Sequence, residues 1–403
     1  MNFANKGRTL ALSAIASYNR ARAQFKSWKN INSVKLVQFF SVRKDFRRRI
    51  REQYVLSSEE KTAIDDFYKK YYGRTVTHKW HSYFAGINQT FVKEYIPMSL
   101  HFSEIEYFMN PHKEYIKVFQ DKSIISLLAI SLGIISPMCL FKFTNGVFYD
   151  ENFNLVDLNH VKDYLFDYGE IFIKPSIDSC GGRGCGIYDI HQGVDKLSGE
   201  NLDTILKKAG KQFLIQNVIK NHESIRRIYD KSLNTFRIIT YQWDDNIYNA
   251  PVAMRLGRNG SRVDNASAGG VYIAVDVNGQ LHEKAYADDG SSITQHPDSG
   301  IVFKTYQIKS VQETIDAAKR MHRALSKLGI INWDFAIDEA GDPVLIEANT
   351  IGGGMDMVQV AHGVTLFEER TPQILQWVAL MESLSPKKRV PYYFGRNMKK
   401  QTK

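Results

Sequence analysis

The chain has 403 residues, 43% of them hydrophobic and 12% aromatic. This composition excludes disordered and low-complexity classes and leaves room for two or three domains. The net charge of +10 is concentrated at one end: residues 1–51 hold thirteen Lys/Arg and a single acid, Asp45, so the remaining chain is close to neutral. That split argues against nucleic acid as the partner of the body and confines the basicity to an N-terminal arm, 1–52.

Three cysteines, Cys139, Cys180 and Cys185, make no disulfide framework, so a reducing cytoplasm is the expected location. The first twenty residues are basic and acid-free, which keeps an organellar transit peptide open as an alternative. After the arm comes a mixed, largely helical region, 53–165. "LSSEEKTAIDDFYKKYYG" predicts a helix capped by Ser57 or Ser58 and stopped by Gly73. The apolar stretch 124–141 is broken by three serines, Gly133 and Pro137 and bounded by Lys122 and Lys142. It reads as a buried helix ending near Gly133 followed by a strand, not as a membrane span.

From 166 to 385 strands are expected in series, at 170–175, 212–218, 235–243 and 248–256. A hairpin follows over 271–286, turning at Asn278-Gly279. A long helix after Ser310 carries a capping-box pattern with Glu313 and ends at Gly329. Residues 386–403 read as a basic tail. Helices and strands do not alternate regularly, so the fold class is α+β with a largely antiparallel sheet.

Two stretches carry chemistry. "WDFAID" and "PVLIEAN" flank the short loop "EAGD", a hairpin pattern. The simplest register sets Trp333, Phe335 and Ile337 opposite Ala348, Ile346 and Val344, and on the other face Asp334 opposite Glu347, with Asn349 beside them. Cross-strand carboxylates about 5 Å apart repel by roughly 3 kcal/mol at an effective dielectric of about 20, so a cation belongs between them. Two carboxylates and an amide, without His or Cys, suit Mg²⁺ better than Zn²⁺; the alternative is a surface hairpin with acids on its wet side. The second stretch, "IKPSIDSCGGRGCGI", places Lys174 before a loop, 176–186, containing Ser179, Gly181, Gly182 and Gly184. Such a loop brings backbone N–H groups close to phosphates, and Mg²⁺ commonly completes its shell with phosphate oxygens. The spacing fits neither the P-loop nor the Rossmann pattern.

At these residues the chain resembles the ATP-grasp superfamily, and within it the sugar-transfer-associated ATP-grasp proteins, relatives of the carboxylate–amine ligases. The resemblance runs from about 115 to 365 and is most specific at "NWDFAID…PVLIEAN". It implies an ATP-grasp fold of two α+β subdomains clamping ATP, with Asp334, Glu347 and Asn349 holding two Mg²⁺ (or Mn²⁺). It further implies that Lys122 of "QDKSII" and Lys174 meet the ATP phosphates. Gln216 and the backbone at Val218 would meet adenine, and Glu223 the ribose, with His222 competing for that place. Some ATP-grasp ligases carry arginine where this chain has Asn332, so Arg237 or Arg255 is expected to steady the transferred phosphoryl. Arg237 lies in mid-strand between Phe236 and Ile238, and its side chain must therefore leave the apolar face; a wet-face arginine is the bland alternative.

The implied activity is an ADP-forming ligase that joins a small-molecule or glycan-linked carboxylate to an amine in cell-surface polysaccharide assembly. An ATP-grasp kinase is the runner-up. The arm 1–51 suggests peripheral docking at an anionic inner membrane surface; a solvated helix is the alternative.

Overall fold

The computed structural model describes residues 54–177 and 184–398. The first helix, α1 (Ser58–Tyr72), starts with a capping box in which Ser57 and Glu60 satisfy each other's backbone N–H, and it stops at Gly73, whose φ of 81° suits glycine. α2 (Lys122–Ser131) is capped by Asp121, whose side chain accepts from the Ser123 N–H.

Seven strands form the first sheet: β1 (Cys139–Thr144), β2 (Val147–Asp150), β3 (Leu155–Val156), β4 (Gly169–Pro175), β5 (Gly186–His191), β6 (Val194–Asp195) and β7 (Gln212–Asn217). They lie in the order β3-β2-β1-β7-β4-β5-β6. The second sheet contains β8 (Phe236–Trp243), β9 (Asn246–Asn249), β10 (Val252–Leu256), β11 (Val271–Val275), β12 (Leu281–Ala287), β13 (Ser292–Ile293), β14 (Ile330–Ile337) and β15 (Pro343–Asn349). Its order is β13-β12-β11-β10-β8-β14-β15, with β9 beside β8. All strand pairs are antiparallel.

Both faces of the second sheet are covered. On one face Phe236, Ile238, Trp333 and Phe335 pack with α3 (Val311–Ala324). On the other, Ile239, Tyr241 and Trp243 pack with α1, with the helical segments up to Met109 and with α4 (Thr371–Ser383). Double coverage explains why β8 and β14 are buried along their whole length.

Several expectations are corrected. The boundary at 165 fails because β1–β3 pair into the first sheet through β7. The helices before residue 110 share a core with the second sheet and are not a separate domain. The stretch 248–256 is two strands, β9 and β10. Ser310 stands at φ 60° and makes no side-chain cap, and α3 ends at Ala324. Over 386–398 the expected tail is folded: Trp377 Nε1 donates to the Tyr392 carbonyl and Phe394 is buried. Ser179, Gly181, Gly182 and the arm 1–51 lie outside the described residues.

Candidate functional site

The two sheets face each other across a cleft of about 1150 Å³. In β4, Ile171 and Ile173 enter the first sheet's core, so the two-residue alternation sends Phe172 and Lys174 to the cleft. Lys174 is fully buried there, and that burial lowers its pKa to about 8, against the raising effect of Glu347. Its Nζ donates to the Ile346 carbonyl at 3.4 Å, which ties the first sheet to β15.

The register sets Asp334 opposite Glu347 and Trp333 opposite Ala348. A bulge follows Asp334, so Phe335 faces Leu345 and Ile337 faces Pro343, not the expected Ile346 and Val344. The bulge leaves Ile346 without a cross-strand partner, and its carbonyl meets Lys174. The slip keeps apolar residues in the core while the two acids stay on the cleft face.

Lys122, the first residue of α2, reaches Glu347 Oε1 at 3.2 Å. Asp334 faces Arg237 across the β14–β8 ladder and binds its Nε at 2.7 Å. Arg255 Nη2 reaches the same carboxylate at 3.1 Å. Burial pushes the Asp334 pKa up, but the two guanidiniums outweigh it and hold it below the usual value. Arg255 is itself braced by Thr235 Oγ1, at 2.9 and 2.6 Å, and by Asp264 at 3.5 Å. Asn349 Nδ2 lies 3.5 Å from Asp334 Oδ2.

Arg237, Ile239, Tyr241 and Trp243 share one face of β8. The helices cover its apolar length, and the charged end emerges beyond them under the first sheet. This placement brings together Lys122, Lys174, Arg237, Arg255, Asp334, Glu347, Asn349, Gln216 and Val218, all of which line the cleft. Gln216 donates to the Pro137 carbonyl at 3.1 Å, while its Oε1 is buried without a hydrogen-bond partner among the described residues. An orphan acceptor on a cleft wall calls for a donor from a ligand.

Glu223 is a correction. It opens the short helix Glu223–Arg226, pairs with Arg227 Nε at 2.9 Å, is largely exposed and does not line the cleft. His222 is spent on capping that helix through Ser224. Gly184 adopts φ +76° and packs against Pro175.

The donor set fits a hard divalent cation. Asp334, Glu347 and Asn349 offer oxygen, and Asp334 Oδ1 keeps a second lone pair beyond its contact with Arg237 Nε. Burial raises the thiol pKa of Cys139 and Cys185. No group of three or more His, Cys, Asp or Glu gathers among the described residues, and a magnesium ion commonly completes such a shell with phosphate or water.

Sequence reasoning missed Asp264, which braces Arg255, the Gly354 carbonyl, which accepts from Arg237 at 3.3 Å, and Tyr83, which lines the cleft from the helix Lys79–Asn88. No local pattern marks them; each acts through a contact distant in sequence.

A cleft between two antiparallel sheets, with lysines on one wall and an acidic hairpin on the other, defines a nucleotide-clamping class. Residues 102–374 match the family described as sugar-transfer associated ATP-grasp, so the chain belongs to that family and has the ATP-grasp fold. No curated protein matches it. Similar solved structures include the VanG D-Ala:D-Ser ligase of Enterococcus faecalis, 15% identical, with 64% of this chain and 61% of that one covered at a TM-score of 0.39. The D-alanyl-alanine synthetase A of Vibrio cholerae is 13% identical over 65% of each chain, at 0.37. The L-amino acid ligase of Bacillus licheniformis is 14% identical over 66% of this chain and 48% of that one, at 0.35. The chain spans less than two thirds of the length of these proteins.

Proposed function

We propose that the chain is an ATP-dependent, ADP-forming ligase that activates a carboxylate as an acyl phosphate and transfers the acyl group to an amine. The observation that carries this reading is a cluster of buried cations. Lys122, Lys174, Arg237 and Arg255 line the cleft, each less than a tenth exposed, beside Asp264, Asp334, Glu347 and Asp356. Four desolvated cations gathered in one low-dielectric site favour a polyanionic ligand.

Lys174 and Lys122 bind the phosphates, Gln216 and the backbone at Val218 meet the adenine end, and Arg237 and Arg255 face the transferring phosphoryl. Asp334, Glu347 and Asn349 would hold Mg²⁺, with Mn²⁺ as a substitute; the ion would supply neutralisation of the charge that develops on the phosphate oxygens. A carboxylate oxygen attacks the γ-phosphorus as the bond to ADP breaks. The amine nitrogen then attacks the acyl carbon, phosphate leaves, and the amine loses its proton. Positioning and electrostatics carry both steps.

The test is a trap. Enzyme, MgATP, pooled carboxylates and hydroxylamine should yield ADP, phosphate and a hydroxamate detectable by mass. A stable phosphorylated product without hydroxamate would replace the ligase with a kinase, and release of AMP and pyrophosphate would exclude both. A role in polysaccharide assembly is supported by the family description alone. No helix among the described residues is long and apolar enough to cross a membrane. Docking of the arm 1–51 to an anionic leaflet is supported by its charge; salt-sensitive sedimentation of the full chain with anionic vesicles tests it.

A further inference from the structure

The glycine turn after β15 is held from behind by a carboxyl in the N-terminal helical layer. Residues Met98–Leu100, a π-turn over His101–Ile105 and Glu106–Met109 form one helical run, and the Glu106 N–H closes the wide turn on the His101 carbonyl. One inserted residue rotates everything after it by about 100° relative to an uninterrupted helix. Two residues apart on the run, Glu104 and Glu106 point to opposite sides. Glu104 pairs with Arg74 at 2.8 Å on one side, while Glu106 turns inward and is only 5% exposed.

Glu106 spends its acceptor on backbone: Oε1 receives the Gly352 N–H at 2.7 Å. The other side of the turn meets the catalytic face. The Gly354 carbonyl accepts from Arg237 Nη1 at 3.3 Å and from Asn332 Nδ2 at 3.2 Å. Gly353 sits so close to Asn332 that a Cβ there would fall 2.1 Å from its amide nitrogen. Gly352, Gly353 and Gly354 all line the cleft. The turn is thus pinned between Glu106 and Arg237, and Arg237 carries the bond to Asp334.

We propose that Glu106 is a positioning residue for phosphoryl transfer: by holding the Gly352–Gly354 turn it fixes the Gly354 carbonyl against Arg237, and so fixes the guanidinium in the cleft. The proposal rests on the reading of Arg237 as facing the transferred phosphoryl. An apolar side chain of the same size would take away the acceptor that holds the Gly352 N–H and let the turn shift. Burial raises the Glu106 pKa to about 8, so the group keeps its acceptor in either protonation state near neutrality.

Two neutral variants of similar volume isolate the acceptor: Glu106→Gln keeps it and Glu106→Met removes it. Amide exchange over residues 350–355, read by mass without nucleotide, should be faster in Glu106→Met and like wild type in Glu106→Gln. ADP release from MgATP should fall between about ten- and a hundredfold in Glu106→Met, with KM for ATP little changed, and Glu106→Gln should restore it. Wild-type exchange and turnover in folded Glu106→Met overturn the proposal, as does faster exchange with unchanged turnover, or failure of folded Glu106→Gln to rescue. If ADP release by the wild type survives Glu347→Gln, the ligase reading fails separately, and the exchange comparison still decides whether Glu106 holds the turn.

Discussion

Asp334→Asn separates the counter-ion role of this carboxylate from its role toward a metal. Asp334 is buried with two arginines, at 2.7 Å from Arg237 and 3.1 Å from Arg255. Arg255 retains Asp264, but Arg237 is left with neutral acceptors alone among the described residues, the Gly354 carbonyl and the new amide. Breaking a buried ion pair from one side costs about 3–5 kcal/mol, because the other charge stays desolvated. The nucleotide-free variant should therefore unfold at lower denaturant by an amount in that range, before any metal is added. Adding Arg237→Gln should return part of the loss, with a coupling of at least about 1 kcal/mol in the double-mutant cycle. Urea unfolding of the four proteins without Mg²⁺ or ATP reads both numbers. Unchanged stability of Asp334→Asn, or additive losses, would refute the counter-ion argument and leave Asp334 a metal ligand alone.

Glu347→Gln should abolish ADP release in a protein that still folds, with some loss of thermal stability because buried Lys122 loses its counter-ion; full turnover would end the metal assignment. Glu106 sets a pH signature. Its folded pKa of about 8 lies above the ordinary 4.5, chiefly through burial, so its contribution to stability is complete below 4.5 and is lost as pH rises through 8. The loss has a ceiling of about 5 kcal/mol. Glu106→Gln should gain stability over wild type between pH 5 and pH 8.5, and parallel pH curves for the two proteins would disprove this. Ser57→Ala removes one half of the α1 capping box and should cost about 1 kcal/mol, read by urea unfolding; no change would mean the helix is held by its packing alone.

The sequence alone determined what alternation and spacing encode. The pattern of "WDFAID" and "PVLIEAN" placed Asp334 against Glu347 because side chains on a strand repeat every two residues and the apolar partners must share one face. Ser57 or Ser58 as cap and Gly73 as stop marked α1 because capping is satisfied within a few residues of the chain. Arg237 could be turned away from the core for the same local reason.

Tertiary structure decided whatever depends on contacts between distant segments. The bulge that frees the Ile346 carbonyl for Lys174, the joining of β1–β3 to the first sheet, and the exclusion of Glu223 from the cleft each follow from packing that no window of sequence contains. Asp264 and Glu106 look like ordinary acids in the chain. They acquire roles only because Arg255 lies on a strand beside one, and the Gly352 N–H is brought from 246 residues away to the other.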